Sequence, residues 1–423
     1  MSARSGDSPL EPSPHPPDQQ KQGPAVPRLT LRKKIVFALV LLAGLGTAAE
    51  VVARVGFFFV RGLDPFYLTY GFGRVYDKPS DRKAGYFKFH PHTTVRQTVA
   101  GRIIPMRINN LGLRGPDAPP DKPPDTFRVV TLGGSSTFGY YVEDGQEYPR
   151  VLERLLQDLY PGLRIEVINA AIPTFQSSHI LELTRKEIFA LRPDLITFYE
   201  GCNDANHPRD EEELGLATRA KFWLHHHSAL YLASSGLLRR AYNALVRRAG
   251  RDVLFGGEHL MLAYSVPKAE AEPIRESIRR KFRANLDALI RLTRGNGVPI
   301  VLARQAYTTH FAEEEVRGEQ AGRLGTYADE LAEVRREYDA SGALPATRLT
   351  MLCHADLMEI VEDLARRHDL PLADGIAAVD RDRSQMLSYV HLSPPANEWV
   401  AQAFLDTIVR SGIIDRAAAS DAR

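Results

Sequence analysis

From residue 126 onward, short strand-like runs alternate with helical patterns, and this alternation constrains the chain more than any other feature. The runs are 127–132 (FRVVTL), 164–168 (RIEVI), 195–199 (LITFY), 298–303 (VPIVLA) and 370–373 (LPLA). Between and after them, apolar residues recur at helical spacing over 148–160, 178–191, 274–294, 357–368 and 397–408. In 274–294, Phe282, Leu286, Leu289 and Ile290 share one face, and Gly295-Asn296-Gly297 stops the helix. Strands that alternate with helices predict a parallel sheet covered on both faces. Such sheets carry their sites at the carboxyl ends of the strands. Two segments interrupt the alternation, about 205–270 and 307–350. Both are helical and charged, and both are expected as insertions, either lids or solvated decoration.

The 423 residues allow one large domain with accessory segments, or two medium ones. With 44% hydrophobic and 25% charged residues, a sizeable core is within reach. A net charge of +2 and no basic stripe with interleaved aromatics exclude nucleic acid as an expected partner. The two cysteines, Cys202 and Cys353, exclude a disulfide-built scaffold and are consistent with at most one bridge. No Cys/His spacing reads as a zinc site, and neither a G-x-G-x-x-G turn nor a Walker lysine is present, so no metal or cofactor is expected.

Residues 1–34 are rich in Pro, Ser and Gln and poor in apolar side chains, the composition of a disordered tail. An apolar run follows Lys33-Lys34 and is uninterrupted from Ile35 to Ala49; Glu50 and Arg54 then stand four residues apart on one helix face. A buried core helix, a cleaved signal peptide and a single-pass signal anchor all fit such a run. The long polar tail ahead of it, and the lack of a small-x-small cleavage site, favour the anchor, expected over 35–57. Arg28, Arg32, Lys33 and Lys34 precede the run, which places the N-terminus on the cytoplasmic side and the rest outside. Residues 58–125 read as a partly β juxtamembrane segment that ends in a linker with five prolines over 116–124.

The run 127–132 leads into Gly133-Gly134-Ser135-Ser136-Thr137, which alone reads as a tight turn with capping serines. Three other strand ends add to it: Asn169 to Thr174 (NAAIPT), Gly201-Cys202-Asn203-Asp204, and Tyr389-Val390-His391-Leu392-Ser393 before the last helix. In this order and spacing the set resembles the SGNH (GDSL-type) hydrolase superfamily, over roughly 103–410. Upstream, the N-x-x-G-x-R-G segment from Asn109 to Gly115 is similar to one found in many membrane-anchored bacterial members, and Arg192-Pro193-Asp194 is similarly typical. The resemblance implies a flavodoxin-like, three-layer parallel sheet behind a single transmembrane helix. It also implies a serine esterase or acylhydrolase acting on an O-acyl ester of the cell envelope, on the periplasmic side of a bacterial inner membrane. The alternatives it leaves are a non-catalytic binding module on the same fold and an O-acyltransferase to a glycan.

Carried over residue by residue, Ser135 matches the nucleophile, His391 the general base and Asn203 the side-chain oxyanion donor. Thr174 falls where an oxyanion-hole glycine is usual, and Gly134 where an aspartate is usual. A serine hydroxyl needs a base to become a nucleophile, and neutral imidazole is suited to that near neutrality. The family pattern D-x-x-H is here Ser388-Tyr389-Val390-His391, so the orienting carboxylate is missing. Three accounts follow: a Ser–His dyad with Ser388 setting the tautomer, a displaced Asp380 or Asp382 reaching the ring, or a degraded site. Other residues have plainer readings: His225-His226-His227 as surface histidines, Asp204 and Asp374 as turn caps, Cys202 as a packed small residue, and Arg114 as a structural hydrogen-bond donor.

Overall fold

The computed structural model describes residues 30–61, 88–99, 102–119, 121–206, 224, 228–231, 233–234, 265–309 and 325–421. Residues 1–29 of the expected tail, most of the expected insertion 205–270 and His225-His226-His227 lie outside the described residues. Residues 1–51 and 52–423 form separate compact units. Helix α1 (Leu31–Arg61) begins in the first. Its stretch Leu31–Gly56 has 26 residues and a mean hydropathy of 2.3, long and apolar enough to cross a membrane. At about 1.5 Å rise per residue it exceeds the roughly 30 Å of a hydrocarbon core. The helix starts ahead of the expected 35, so Arg32, Lys33 and Lys34 lie within its first turn.

The second unit opens with a hairpin, β1 (Thr94–Val99) and β2 (Arg102–Arg107), paired antiparallel. Then follow β3 (Thr126–Gly133), α2 (Ser135–Phe138), α3 (Tyr148–Leu159), β4 (Arg164–Asn169), α4 (Ser177–Lys186), β5 (Leu195–Tyr199) and α5 (Cys202–Asn206). After the first insertion come β6 (Ser265–Pro267), α6 (Lys268–Gly295), β7 (Ile300–Arg304), α7 (Tyr327–Ala340), β8 (Ala343–Pro345) and α8 (Ala346–Arg367). The chain closes with β9 (Leu372–Asp374), α9 (Gly375–Val379), α10 (Pro394–Ser411) and α11 (Ile413–Asp421).

Five strands form one parallel sheet in the order β4-β3-β5-β7-β9. This is the flavodoxin-like order, with β3 at the switch point between β4 and β5. Alternate residues feed two cores. Val130, Leu132, Ile196, Phe198, Ile300 and Leu302 join Phe282, Leu286 and Leu289 of α6 on one face. Phe127, Val129, Leu195, Tyr199, Val301 and Ala303 join Leu152 of α3 and Val400 and Phe404 of α10 on the other. The period-two alternation buries both faces, which is why each strand reads as a continuous apolar run.

Two helices of the sheet domain begin well ahead of their expected starts. Helix α6 starts at Lys268, not 274, and carries Pro273 inside its second turn, where the ring removes one backbone hydrogen bond. Helix α8 starts at Ala346, not 357, and its N-terminal half buries Leu349, Met351, Leu352 and Cys353. The described ends of the two insertions meet, since β6 and β8 pair antiparallel.

Arg128 fastens the amino ends of the strands. Its side chain is fully buried, with Nε donating to Glu166 Oε2 on β4 at 2.6 Å, Nη1 to Leu191 O at 2.5 Å and Nη2 to Pro119 O at 2.9 Å. Removing one partner of such a buried pair leaves the other charge and two carbonyls without partners. Arg128→Ala should therefore lower the unfolding free energy by about 3 kcal/mol in denaturant titrations. Whatever chemistry the strand carboxyl ends carry should be retained at low temperature, because this clamp lies at the opposite end of the sheet. A loss below about 1 kcal/mol, the range of ordinary surface changes, would contradict the clamp.

Candidate active site

The carboxyl ends of the central strands gather the candidate residues. β3 ends at Gly133, Gly134 caps α2, and Ser135 is its first residue. β4 runs into the loop that carries Thr174, and β5 into α5, which carries Asn203. His391 lies between α9 and α10, just before the Ser393 cap of α10. Ser135 and Asn203 are each 8% exposed and His391 is 6% exposed, so the groups sit at the floor of a recess that still opens to solvent.

Ser135 Oγ lies 2.8 Å from His391 Nε2, and Ser388 Oγ lies 2.6 Å from His391 Nδ1. The backbone N–H of His391 also donates to Ser388 Oγ, at 3.3 Å. In the tautomer with the proton on Nδ1, Ser388 Oγ accepts on this edge and the Nε2 lone pair faces Ser135. The two aspartates considered as orienting groups are engaged elsewhere. Asp382 binds the Ser384 N–H and hydroxyl at 3.0 and 2.5 Å, and Asp380 accepts from Tyr327 N at 2.9 Å and pairs with Arg383 at 3.2 Å. The contact to Nδ1 comes from Ser388 and from neither carboxylate, since Asp382 is held by the Ser384 N–H and Asp380 by the Tyr327 N–H of another segment and by Arg383.

Burial pushes the His391 imidazole down to about 3, with no charged group opposing the effect. Three rings surround it. Tyr141 meets it edge-on at 4.4 Å, and Tyr140 and Tyr389 have centroids 5.8 Å away. The ring is therefore neutral at physiological pH and sits in an aromatic setting without a counter-ion.

Asn203 Nδ2 donates to Phe175 O at 2.9 Å, which ties the β5 end to the loop after β4. Asp204 does the same from the next position. Its carboxylate accepts from the Ser177 N–H at 2.8 Å and the Ser177 hydroxyl at 2.6 Å, closing the N-terminus of α4. Burial pushes the Asp204 carboxyl up to about 6 against these bonds. Asp374 caps α9 through the Ala377 N–H at 3.0 Å, as its position after a strand implied. Cys202 and Cys353 are buried free thiols. No group of His, Cys, Asp or Glu side chains among the described residues has metal-binding geometry.

Arg114 is fully buried and binds the loop that follows the Ser135 helix. Its guanidinium donates to Phe138 O at 2.6 Å, to Gly139 O and to Val142 O at 2.8 Å. Asn169 Nδ2 adds a bond to Thr137 O at 3.0 Å. The N-x-x-G-x-R-G segment thus acts on the site from behind, by fixing the turn that presents Ser135. Sequence reading passed over Glu200. It is 1% exposed, closes β5, and bonds the first turn of α5. Its signal in the sequence was a charged residue ending a strand that is otherwise wholly buried.

A serine hydroxyl on an imidazole, beside a carboxamide, at the switch point of a doubly wound sheet, is the arrangement of a serine hydrolase of the α/β class. A model of the GDSL-like Lipase/Acylhydrolase family matches residues 131–399, and the chain belongs to that family. It is an ester-hydrolysing enzyme. No curated protein matches the chain. Among solved structures it is similar to Axe2, an acetylxylan esterase from Geobacillus stearothermophilus, at 16% identity and TM-score 0.37, covering 66% of this chain and 93% of that one. LAE5, an alpha/beta hydrolase enzyme from the metagenome of Lake Arreo, Spain, is 17% identical at TM-score 0.36, covering 66% and 94%. The lipase/acylhydrolase from Enterococcus faecalis gives the same figures, 17%, 0.36, 66% and 94%.

Thr174 has φ +69°, in the left-handed region that a β-branched residue tolerates poorly. Thr174→Gly relieves that strain at some cost in chain entropy, so the net gain should be about 1 kcal/mol. Thermal unfolding should show a melting temperature raised by a few degrees; a decrease would mean that Thr174 side-chain contacts outweigh the backbone strain.

Proposed function

We propose that this chain is a membrane-anchored bacterial serine esterase that removes an O-acyl group from a cell-envelope substrate in the periplasm. The observation that carries the chemistry is the continuous line Ser388 Oγ–His391–Ser135 Oγ, with contacts of 2.6 and 2.8 Å. Helix α1 and its basic first turn support the location, with residues 1–34 as a cytoplasmic tail and the hydrolase domain spanning 126–415.

In the proposed reaction, Ser135 Oγ attacks the ester carbonyl while His391 Nε2 takes its proton. The imidazolium then gives that proton to the leaving alcohol, and water repeats the cycle on the acyl-enzyme. The tetrahedral oxyanion would be met by Asn203 Nδ2 and by the backbone N–H groups of Ser135 and Thr174. Among the described residues those two N–H groups have no protein acceptor. A backbone donor needs no particular side chain, so threonine at 174 serves while narrowing the cleft. The partly exposed rings of Tyr140, Tyr141 and Tyr389 offer apolar faces of the kind that pack on sugar rings, which favours an acylated glycan over a lipid.

The full-length protein in detergent should hydrolyse p-nitrophenyl acetate and acetylated oligosaccharides, and Ser135→Ala should lose about 10³-fold or more in kcat. Turnover no higher than that of Ser135→Ala would defeat the proposal.

The missing carboxylate has its own consequence. A base whose pKa is held near 3 is neutral and competent above that value, and it loses activity only as pH falls through it. The wild type should therefore show no loss of kcat/KM assignable to His391 between pH 7 and 5. Ser388→Asp places a charge beside Nδ1, which favours the imidazolium. Its kcat should rise, and an acid limb should appear near the ordinary imidazole value of about 6.5. Superimposable pH profiles of the two proteins would show that position 388 does not govern the base.

A further inference from the structure

Glu200 directly follows strand β5, is 1% exposed and sits behind the Ser135 turn. Its Oε1 accepts from the Gly201 N–H at 3.0 Å and the Asn203 N–H at 2.8 Å, closing the first turn of α5. The other side of the carboxyl faces Gly134. A Cβ placed on Gly134 would lie 2.3 Å from Glu200 Oε2 and 2.4 Å from Asn203 Nδ2. Those distances leave no room for a methyl group. The carboxyl of β5, the carboxamide of α5 and the bare Cα ahead of Ser135 are therefore packed as one unit. Gly134 lacks a side chain at the point where Glu200 supplies one from the neighbouring strand.

We infer that Glu200 is a positioning residue, which holds the Asn203 carboxamide and the Gly134–Ser135 turn in the relative placement that oxyanion stabilisation requires. The inference rests on the proposed roles of Ser135 and Asn203. It makes positions 134 and 200 interdependent: the carboxyl comes from β5 only because position 134 is glycine, and a side chain at 134 displaces it. Burial and the nearby Asp204 push the Glu200 carboxyl up to about 8, so at neutral pH it is held largely in its neutral form. A neutral carboxyl keeps its acceptor for the two N–H groups without setting a full negative charge beside a developing oxyanion. Glutamine at 200 keeps the same shape and the Oε1 acceptor for the Gly201 and Asn203 N–H groups.

The test compares Glu200→Ala, Glu200→Gln, Gly134→Asp and the double variant Gly134→Asp/Glu200→Ala in the full-length protein. Each is assayed for kcat and KM on p-nitrophenyl acetate, for inhibition by a phenylboronate that mimics the tetrahedral oxyanion, and for melting temperature. Glu200→Ala should lower kcat at least about tenfold and weaken boronate inhibition in parallel, with KM within about twofold, because a misplaced donor costs part of the 10²–10³ that a deleted one costs. Glu200→Gln should stay within about threefold of wild type. Gly134→Asp should be strongly impaired, and the double variant should recover part of that loss, since the overlap with Glu200 Oε2 is relieved while that with Asn203 Nδ2 remains. Wild-type kcat in Glu200→Ala, or equal losses of kcat and melting temperature in Glu200→Ala and Glu200→Gln, would overturn the inference. Ser135→Ala and Asn203→Ala run alongside. If they abolish turnover while Glu200→Ala does not change kcat, the inference alone fails; if they leave turnover intact, the proposed site fails with it.

Discussion

A parallel sheet buried on both faces leaves its strand ends as the one place where polar chemistry can reach solvent, and the rest of this molecule follows from that constraint. Five strands run the same way, and the chain reverses its direction of winding at β3. Helix α3, after β3, packs on one face of the sheet, and α4 and α5, after β4 and β5, pack on the other. The loops after β4 and β5 are tied by Asn203 Nδ2 to Phe175 O at 2.9 Å, beside the Ser135 turn. Ser135, Thr174 and Asn203 come from these three strand ends. His391 comes from the far end of the sequence, yet it is delivered to the same place because α10 must pack on the face built by β3, β5 and β7.

The recess is bound together more tightly than its separate loops would suggest. Gln305, just past β7, donates to Ser136 Oγ at 3.1 Å and accepts from the Cys202 N–H at 2.8 Å. Ser136 Oγ in turn donates to Val390 O at 3.2 Å, beside His391. One amide and one hydroxyl thus link the Ser135 turn, the Asn203 helix and the His391 loop. Such networks are valuable when every member is satisfied, because low local polarity strengthens each bond and makes a missing partner costly. The geometry of the recess is therefore set by bonds among its own supports, with Arg114 and Asp204 fixing the flanking loops from outside.

Electrostatically the site is unusual in being close to neutral. The imidazole has a hydroxyl behind it where a carboxylate would stabilise its charged form, and burial holds it unprotonated. Glu200, packed against Gly134 behind the Ser135 turn, is itself held largely neutral by burial. In the proposed reaction, an imidazole without a counter-ion is a weaker base but one that stays available in acid. A carboxyl held neutral acts through its hydrogen bonds and not through its charge. Under the proposed mechanism both features trade charge stabilisation for order, which throws the burden of rate onto the placement of donors.

The sequence by itself determined the class of fold and the identity of the groups at its strand ends. Apolar runs alternating with helical periodicity admit little else than a parallel sheet, and Ser135, Asn203 and His391 each stand directly after or before an element whose limits local patterning makes legible. It also determined one helix fit to cross a membrane, since length and hydropathy are local properties. Only the tertiary structure decided which acceptor meets His391 Nδ1. Asp380, Asp382 and Ser388 are all near it along the chain, and the choice among them depends on where the loop folds back, with both aspartates captured by neighbouring N–H groups. The structure likewise brought out Glu200, whose partners are Gly201, Asn203 and the space beside Gly134. The contact between Gly134 and Glu200 joins residues far apart in sequence, and no pattern within either segment announces that one lacks the side chain the other provides.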